Sequence, residues 1–149
     1  MPSATAILEI STAGRGFHEI SKELQDTVVQ SGAAVGLCHL FLRHTSASLL
    51  ITENADPDVR KDLENFMCTL APDGDPAYFH TMEGPDDMPA HIRSVLTCSE
   101  LTIPIRNGQL ALGTWQGVYL WEHRLRPHRR RIEVTMLGAG APAGSTVNR

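Results

Sequence analysis

Period-two patterning constrains this chain more than any other feature. VGLCHLFLRH, Val35 to His44, puts Leu37, His39, Phe41 and Arg43 on one face of a strand and Cys38, Leu40, Leu42 and His44 on the other. ATAILEIST (Ala4 to Thr12), SASLLITEN, ELTIPI, LALGTWQGVYLWEH and RRIEVTML also read as strands. RNGQ supplies an Asn-Gly turn, and Pro104 predicts that ELTIPI lies at a sheet edge, because proline cannot donate to a ladder. Three segments show helical spacing instead. Ile20, Leu24 and Val28 recur between Phe17 and Gln30, with Ser21 as a candidate cap. Asp56 and Pro57 open a second helix through Val59, Leu63, Phe66 and Met67 to the loop APDGDP. Ile92, Val95 and Leu96 give a third helix its core face. Strand, helix, strands, helix, helix, strands is not the regular alternation of a doubly wound sheet. It predicts an α+β fold with mostly antiparallel pairing, two sheets packed like a sandwich, and three helices.

The 149 residues fit one domain, taken as residues 1–138. Residues 139–149, AGAPAGSTVNR, are small and polar and are expected to form a flexible tail. A net charge of −4 argues against a general nucleic-acid binder, whose footprint would be basic. No apolar run approaches the roughly 18 residues that span a bilayer. MPSATAILEI lacks a basic segment followed by a long apolar one, so no secretory leader is expected. Cys38, Cys68 and Cys98 are odd in number and show no CxxC spacing. Reduced thiols, small buried side chains and a cytoplasmic location follow as expectations.

EGPDDMPAHIRSVL, Glu83 to Leu96, crowds three carboxylates, two prolines and a histidine into a helix start. Asp86 and Asp87 are good capping residues, and Pro89 is tolerated in a first turn. One cap needs one aspartate, so the other, with His91, is expected at a polar site. Of the seven histidines, His44, His80 and His91 stand at loops or helix starts. Three convergent imidazoles would make an open metal site. Surface or hydrogen-bonded histidines are the plainer alternative, and His123, alternating with Tyr119 and Trp121, is expected to pack. Glu53 and Asn54 end a strand and either point into a site or belong to a solvated helix start. Gly113 and Gly117 in LGTWQG suggest close backbone approach, with Trp115 offering a flat surface. RPHRRR is the only basic run and offers guanidinium groups for phosphate.

HTSASLLITENADPDVRKDLE, YFHTMEGPDDMPAH, LTIP, NGQLALGTWQGVYLWEHR and the RR before the last strand together resemble the YjbQ family, also described as secondary thiamine-phosphate synthases. The resemblance runs from about Arg15 to Gly138. RLRPH after His123 departs from it, because a glycine-rich turn is expected there. The resemblance implies a homotrimer with sites between subunits. It also implies a weak activity joining a hydroxymethylpyrimidine diphosphate to a thiazole phosphate with release of pyrophosphate. Charge on the departing diphosphate calls for preorganised cations. On this reading a divalent metal, zinc or magnesium, is held by His44, His80 and His91. Asp87, Glu122 and Arg131 carry the chemistry. Thr45, Asn54, Trp115, Gln116 and Arg130 bind a phosphorylated small molecule, with no nucleic acid or membrane as partner. Two other classes fit the same residues. One is a small-molecule or phosphate-binding housekeeping protein, and the other is a metal-dependent hydrolase.

Overall fold

A computed structural model describes residues 3–140. The elements run β1 (Ser3–Ser11), β2 (Gly16–Glu19), α1 (Ser21–Ser31), β3 (Val35–Leu42), β4 (Ala47–Glu53), α2 (Pro57–Leu70), α3 (Asp87–Leu96), β5 (Glu100–Arg106), β6 (Gln109–Leu110), β7 (Gln116–Glu122) and β8 (Arg129–Ala139). One sheet has the order β1-β8-β3-β5-β6 and the other β2-β7-β4. Every strand pair is antiparallel. The α+β, two-sheet, three-helix expectation therefore holds.

Alternation builds the core. Cys38, Leu40 and Leu42 of β3 face inward beside Ile103 and Ile105 of β5 and Ile132, Val134 and Met136 of β8. Leu49, Val118 and Leu120 of the small sheet meet them, and Ile20, Leu24 and Val28 bring α1 into the same cluster. Phe17 is not helical; it lies in β2, and α1 starts at Ser21. Ser21 does not cap: its hydroxyl donates to Glu19 at 3.0 Å and accepts the Val118 N–H at 2.9 Å. Asn107 and Gly108 take φ of 52° and 73°, the two left-handed positions of the β5–β6 hairpin turn. Asp56 caps α2 as expected, accepting the Asp58 N–H at 2.9 Å. LGTWQG is strand only from Gln116, whose Oε1 accepts the Gly113 N–H at 2.7 Å and closes a turn.

α3 overturns its expected polarity. Its buried face is Asp87, Pro89, Ala90 and Arg93, while Val95 and Leu96 are 84% and 56% exposed. Partners elsewhere in the chain explain this. Arg93 Nη1 donates to Glu64 at 2.6 Å, and Glu64 also accepts the Trp121 indole N–H at 2.7 Å. A buried charge is tolerable only when paired in this way. α2 is also more open than its spacing suggests, with Met67 its one buried residue and Phe66 exposed. Cys38 is buried, but Cys68 and Cys98 are exposed, against expectation. The tail expected from Ala139 onward falls almost wholly outside the described residues, and β8 itself ends at Ala139. No described helix is long and apolar enough to cross a membrane.

Candidate functional site

The site is assembled by a helix start, the loop before it and the loop after β7. Asp87 and His91 stand four residues apart on α3 and share a face. The α2–α3 loop folds back on itself, with the Gly74 N–H on Pro85 O at 2.9 Å, and returns His80 to that face. His80 Nε2 lies 2.7 Å and His91 Nε2 3.2 Å from the same oxygen of Asp87, Oδ2. The two rings meet edge on, 5.4 Å between centroids. The ligand atoms of His80, Asp87 and His91 all lie within 4.8 Å of one another.

Arg124 fixes this arrangement from behind. Its Nη1 donates to Asp87 Oδ1 at 2.7 Å, its Nε to Asp86 Oδ2 at 2.9 Å, and its Nη2 to Glu83 O at 2.8 Å. The Leu125 N–H also donates to Asp86 at 2.9 Å. Neither aspartate side chain caps α3, contrary to expectation, because both carboxylates are taken. Burial works to raise the Asp87 carboxyl, but the His80 hydrogen bond and the charges of Arg124 and His91 outweigh it and hold the group below its usual range. Asp86 behaves alike: its burial is outweighed by Arg124 and the Leu125 N–H. Arg124 loses solvation yet stays above its ordinary value beside these acids.

Two imidazole nitrogens and one carboxylate oxygen on converging side chains are a donor set that could hold a divalent cation. Arg124 on the far oxygen is the kind of outer partner that orients such a ligand. Clefts flank the cluster. One of about 350 Å³ is lined by Tyr78, His80 and Thr81, and one of about 500 Å³ by Glu83, Asp86, Arg124 and Arg126.

The other expected site residues lie elsewhere in the chain. His44 Nε2 accepts the Arg131 N–H at 2.8 Å, so within one chain it does not join His80 and His91. Burial first, then the Arg130 charge, lowers its pKa. Glu122 is fully buried and paired with Arg130 through both carboxylate oxygens. Thr12 donates to the same carboxylate at 2.7 Å, and Arg130 also reaches Ser46 O at 3.1 Å. Burial would raise Glu122, but Arg130 and Thr12 hold it low. This cluster commits Arg130 Nε and Nη2 and leaves the residue 4% exposed. Arg131 is exposed and pairs with Glu9 at 3.1 Å. Thr45 is exposed in the β3–β4 turn. Asn54, Trp115 and Gln116 gather where β4 meets β7, the Asn54 N–H on Trp115 O at 3.0 Å, with Trp115 63% exposed. His123 packs, as expected: it is buried, Nε2 2.7 Å from the Ser48 hydroxyl. Sequence reasoning misses Arg124. Its only local signal is a cation following Glu122 and His123, and its partners come 37 and 38 residues earlier.

Comparison with known proteins agrees with this architecture. A family model described as UPF0047 protein YjbQ-like matches residues 6–139. The chain is 55% identical over 132 residues to the UPF0047 protein sll1880 of Synechocystis, covering 89% of this chain and 90% of that protein. It is 43% identical over 132 residues to the UPF0047 protein YjbQ of Escherichia coli O157:H7, covering 88% and 95%. Among solved structures, the conserved hypothetical protein TT1486 of Thermus thermophilus superposes with a TM-score of 0.81 at 35% identity, covering 89% of this chain and 99% of that one. A YjbQ/UPF0047 protein of Clostridium acetobutylicum gives 0.76 at 34% identity, covering 90% and 99%. From β1 to the last residue of β8, the chain belongs to the YjbQ-like UPF0047 family.

Proposed function

We propose that the protein is an enzyme of the thiamine-phosphate synthase type. It would join a hydroxymethylpyrimidine diphosphate to a thiazole phosphate and release pyrophosphate. The observation that carries this reading is the convergence of His80, Asp87 and His91 beside a cleft bordered by Arg124 and Arg126. In such a transfer the thiazole nitrogen forms a bond to the exocyclic carbon as the carbon–oxygen bond breaks. The electron pair leaves on the diphosphate.

His80, Asp87 and His91 would hold a divalent cation, whose Lewis acidity would neutralise that leaving group. Arg124 commits three of its N–H groups, one on each nitrogen, to Asp86, Asp87 and Glu83, so its main role is to position the two aspartate carboxylates. Arg126 at the cleft rim offers a cation to a phosphate. Trp115, exposed beside Asn54, lies at the opposite end of β7 from Arg124, so its planar face could meet a heteroaromatic ring held at this site only across a subunit contact. Glu122 and Arg130 form a closed, neutral pair that ties β8 to β7.

A homotrimer is part of this proposal. Phe66 on α2, Phe79 and Met82 in the α2–α3 loop and Val95 on α3 are 64%, 102%, 92% and 84% exposed, apolar side chains that a subunit contact would cover. Light scattering on the purified protein measures this directly, and a monomeric mass removes it from the proposal.

The test supplies both substrates with zinc or magnesium and follows pyrophosphate. Release that needs both substrates and is lost in Asp87→Asn supports the synthase. A second reading, metal-dependent hydrolysis, is favoured by the two-imidazole, one-carboxylate set, which also suits water activation. Phosphate or pyrophosphate released from the diphosphate alone would select it. No turnover of either kind would leave a binding protein. A true substrate should turn over at roughly 1–1000 per second.

A further inference from the structure

A third cleft, of about 500 Å³, lies between β2 and α2, lined by Gly16, Phe17, Arg60, Lys61, Glu64 and Asn65 among others. It shares no lining residue with the clefts beside His80 and Arg124. Its floor is aromatic and braced. The Phe17 ring stacks on Trp121 at 4.4 Å between centroids and 23° between planes, and it meets Tyr119 edge on at 6.0 Å. Trp121 is held by its indole N–H on Glu64 at 2.7 Å. Gly16 adds room: φ is 144°, and a Cβ there would meet nothing within 4 Å.

The wall is cationic. Arg60 sits 5.2 Å above the Tyr119 ring, with Nη1 donating to Glu53 O at 3.0 Å and to the Tyr119 hydroxyl at 3.1 Å. Both acceptors are uncharged, and Arg60 enters no ion pair among the described residues, with Glu19 and Glu53 facing Tyr119 but not paired to Arg60, so donors remain in reserve. Lys61 beside it pairs only with Asp58, both side chains 69% exposed, a weak and exchangeable contact. The one carboxylate of the lining, Glu64, is neutralised by the fully buried Arg93. An aromatic floor under an unpaired guanidinium selects a flat, negatively charged ligand.

We propose that this cleft binds a small planar aromatic molecule bearing one anionic group, its ring against Phe17 and its anion on Arg60 and Lys61. The site is additional to the His80–Asp87–His91 centre and does not depend on the synthase reading.

The test is a titration of the full chain, labelled with ¹⁵N, with phenyl phosphate and with benzoate. Cyclohexyl phosphate and inorganic phosphate serve as controls. Phenyl phosphate or benzoate should shift the amides of Gly16, Phe17, Lys61 and Asn65 with a Kd of about 1 mM or tighter. Whichever probe is tighter names the anion. Arg60→Gln should weaken binding about tenfold. Asn65→Phe, at an exposed helix position, should block the cleft without touching a buried contact, which keeps the test valid if Arg60→Gln unfolds. Shifts confined to the Met82–Arg126 cleft, or none at all, overturn the proposal. Equal affinity for cyclohexyl and phenyl phosphate also overturns it, because the aromatic floor would then contribute nothing.

Discussion

Arg124 holds Asp87 by one oxygen, Nη1 to Oδ1 at 2.7 Å, and leaves the other oxygen to two imidazoles. The guanidinium thereby fixes the carboxylate without occupying the face on which His80 and His91 converge. Arg124→Gln removes that hold. It should weaken zinc binding about 10–100-fold while the chain stays folded. Arg126→Gln, one cleft rim away, should leave zinc affinity within about twofold, since Arg126 touches none of the three ligands. Calorimetric titration of both variants checks this, and equal losses in the two would mean a general charge effect rather than an oriented ligand.

His80, Asp87 and His91 form the candidate cation set within one chain, whereas His44 spends Nε2 on the Arg131 N–H. His80→Ala and His91→Ala should each abolish stoichiometric zinc in elemental analysis. His44→Ala should keep it. Loss of zinc in His44→Ala with the fold intact would bring His44 back as a ligand, contributed across a subunit contact.

Where the pattern is local, the sequence shows it plainly. β3 is visible because alternate side chains meet water and core, and the Asp56–Pro57 helix start because a cap acts within two residues. Asn107–Gly108 is visible because only a tight turn wants two positive φ values in a row. Spacing misleads at α3 because its buried face is charged, and burial of Arg93 depends on Glu64, 29 residues earlier. Asp86 looks like a cap in sequence because its competitor, Arg124, lies 38 residues later. For the same reason Asp87, four residues before His91 on one helix, can be picked out with it, while the return of His80 to that carboxylate and its brace Arg124 cannot be derived from spacing.

Gly36 and Gly138 face each other in register between β3 and β8. A Cβ on Gly36 would stand 2.0 Å from Leu137 O, and one on Gly138 would stand 2.3 Å from Val35 O. Backbone cannot yield as a flexible side chain can, so the strands would have to part. Gly36→Ala should therefore destabilise by at least about 2 kcal/mol in urea unfolding, with an unchanged m-value. A loss within about 0.5 kcal/mol would show that the β3–β8 contact relaxes easily.

His123 gives the fold an acid sensitivity. Burial, reinforced by the charges of Arg93, Arg15 and Arg130, pushes its pKa down to about 3. Its Nε2 stays on the Ser48 hydroxyl, and its buried Nδ1 has no partner. Below the ordinary histidine value of 6.5 the unfolded chain gains a proton at this position and the folded chain does not. Stability from the neutral ring is thus complete above that value. It falls by about 1.4 kcal/mol for each pH unit below it, until the folded pKa is reached. Other groups titrate over the same range, so the difference between native protein and His123→Gln isolates the effect. Urea midpoints between pH 7 and pH 4.5 should fall more steeply for the native protein than for the variant. Parallel lines would mean that His123 takes up its proton while folded, and the closed packing around Ser48 and Trp121 would then have to open to water.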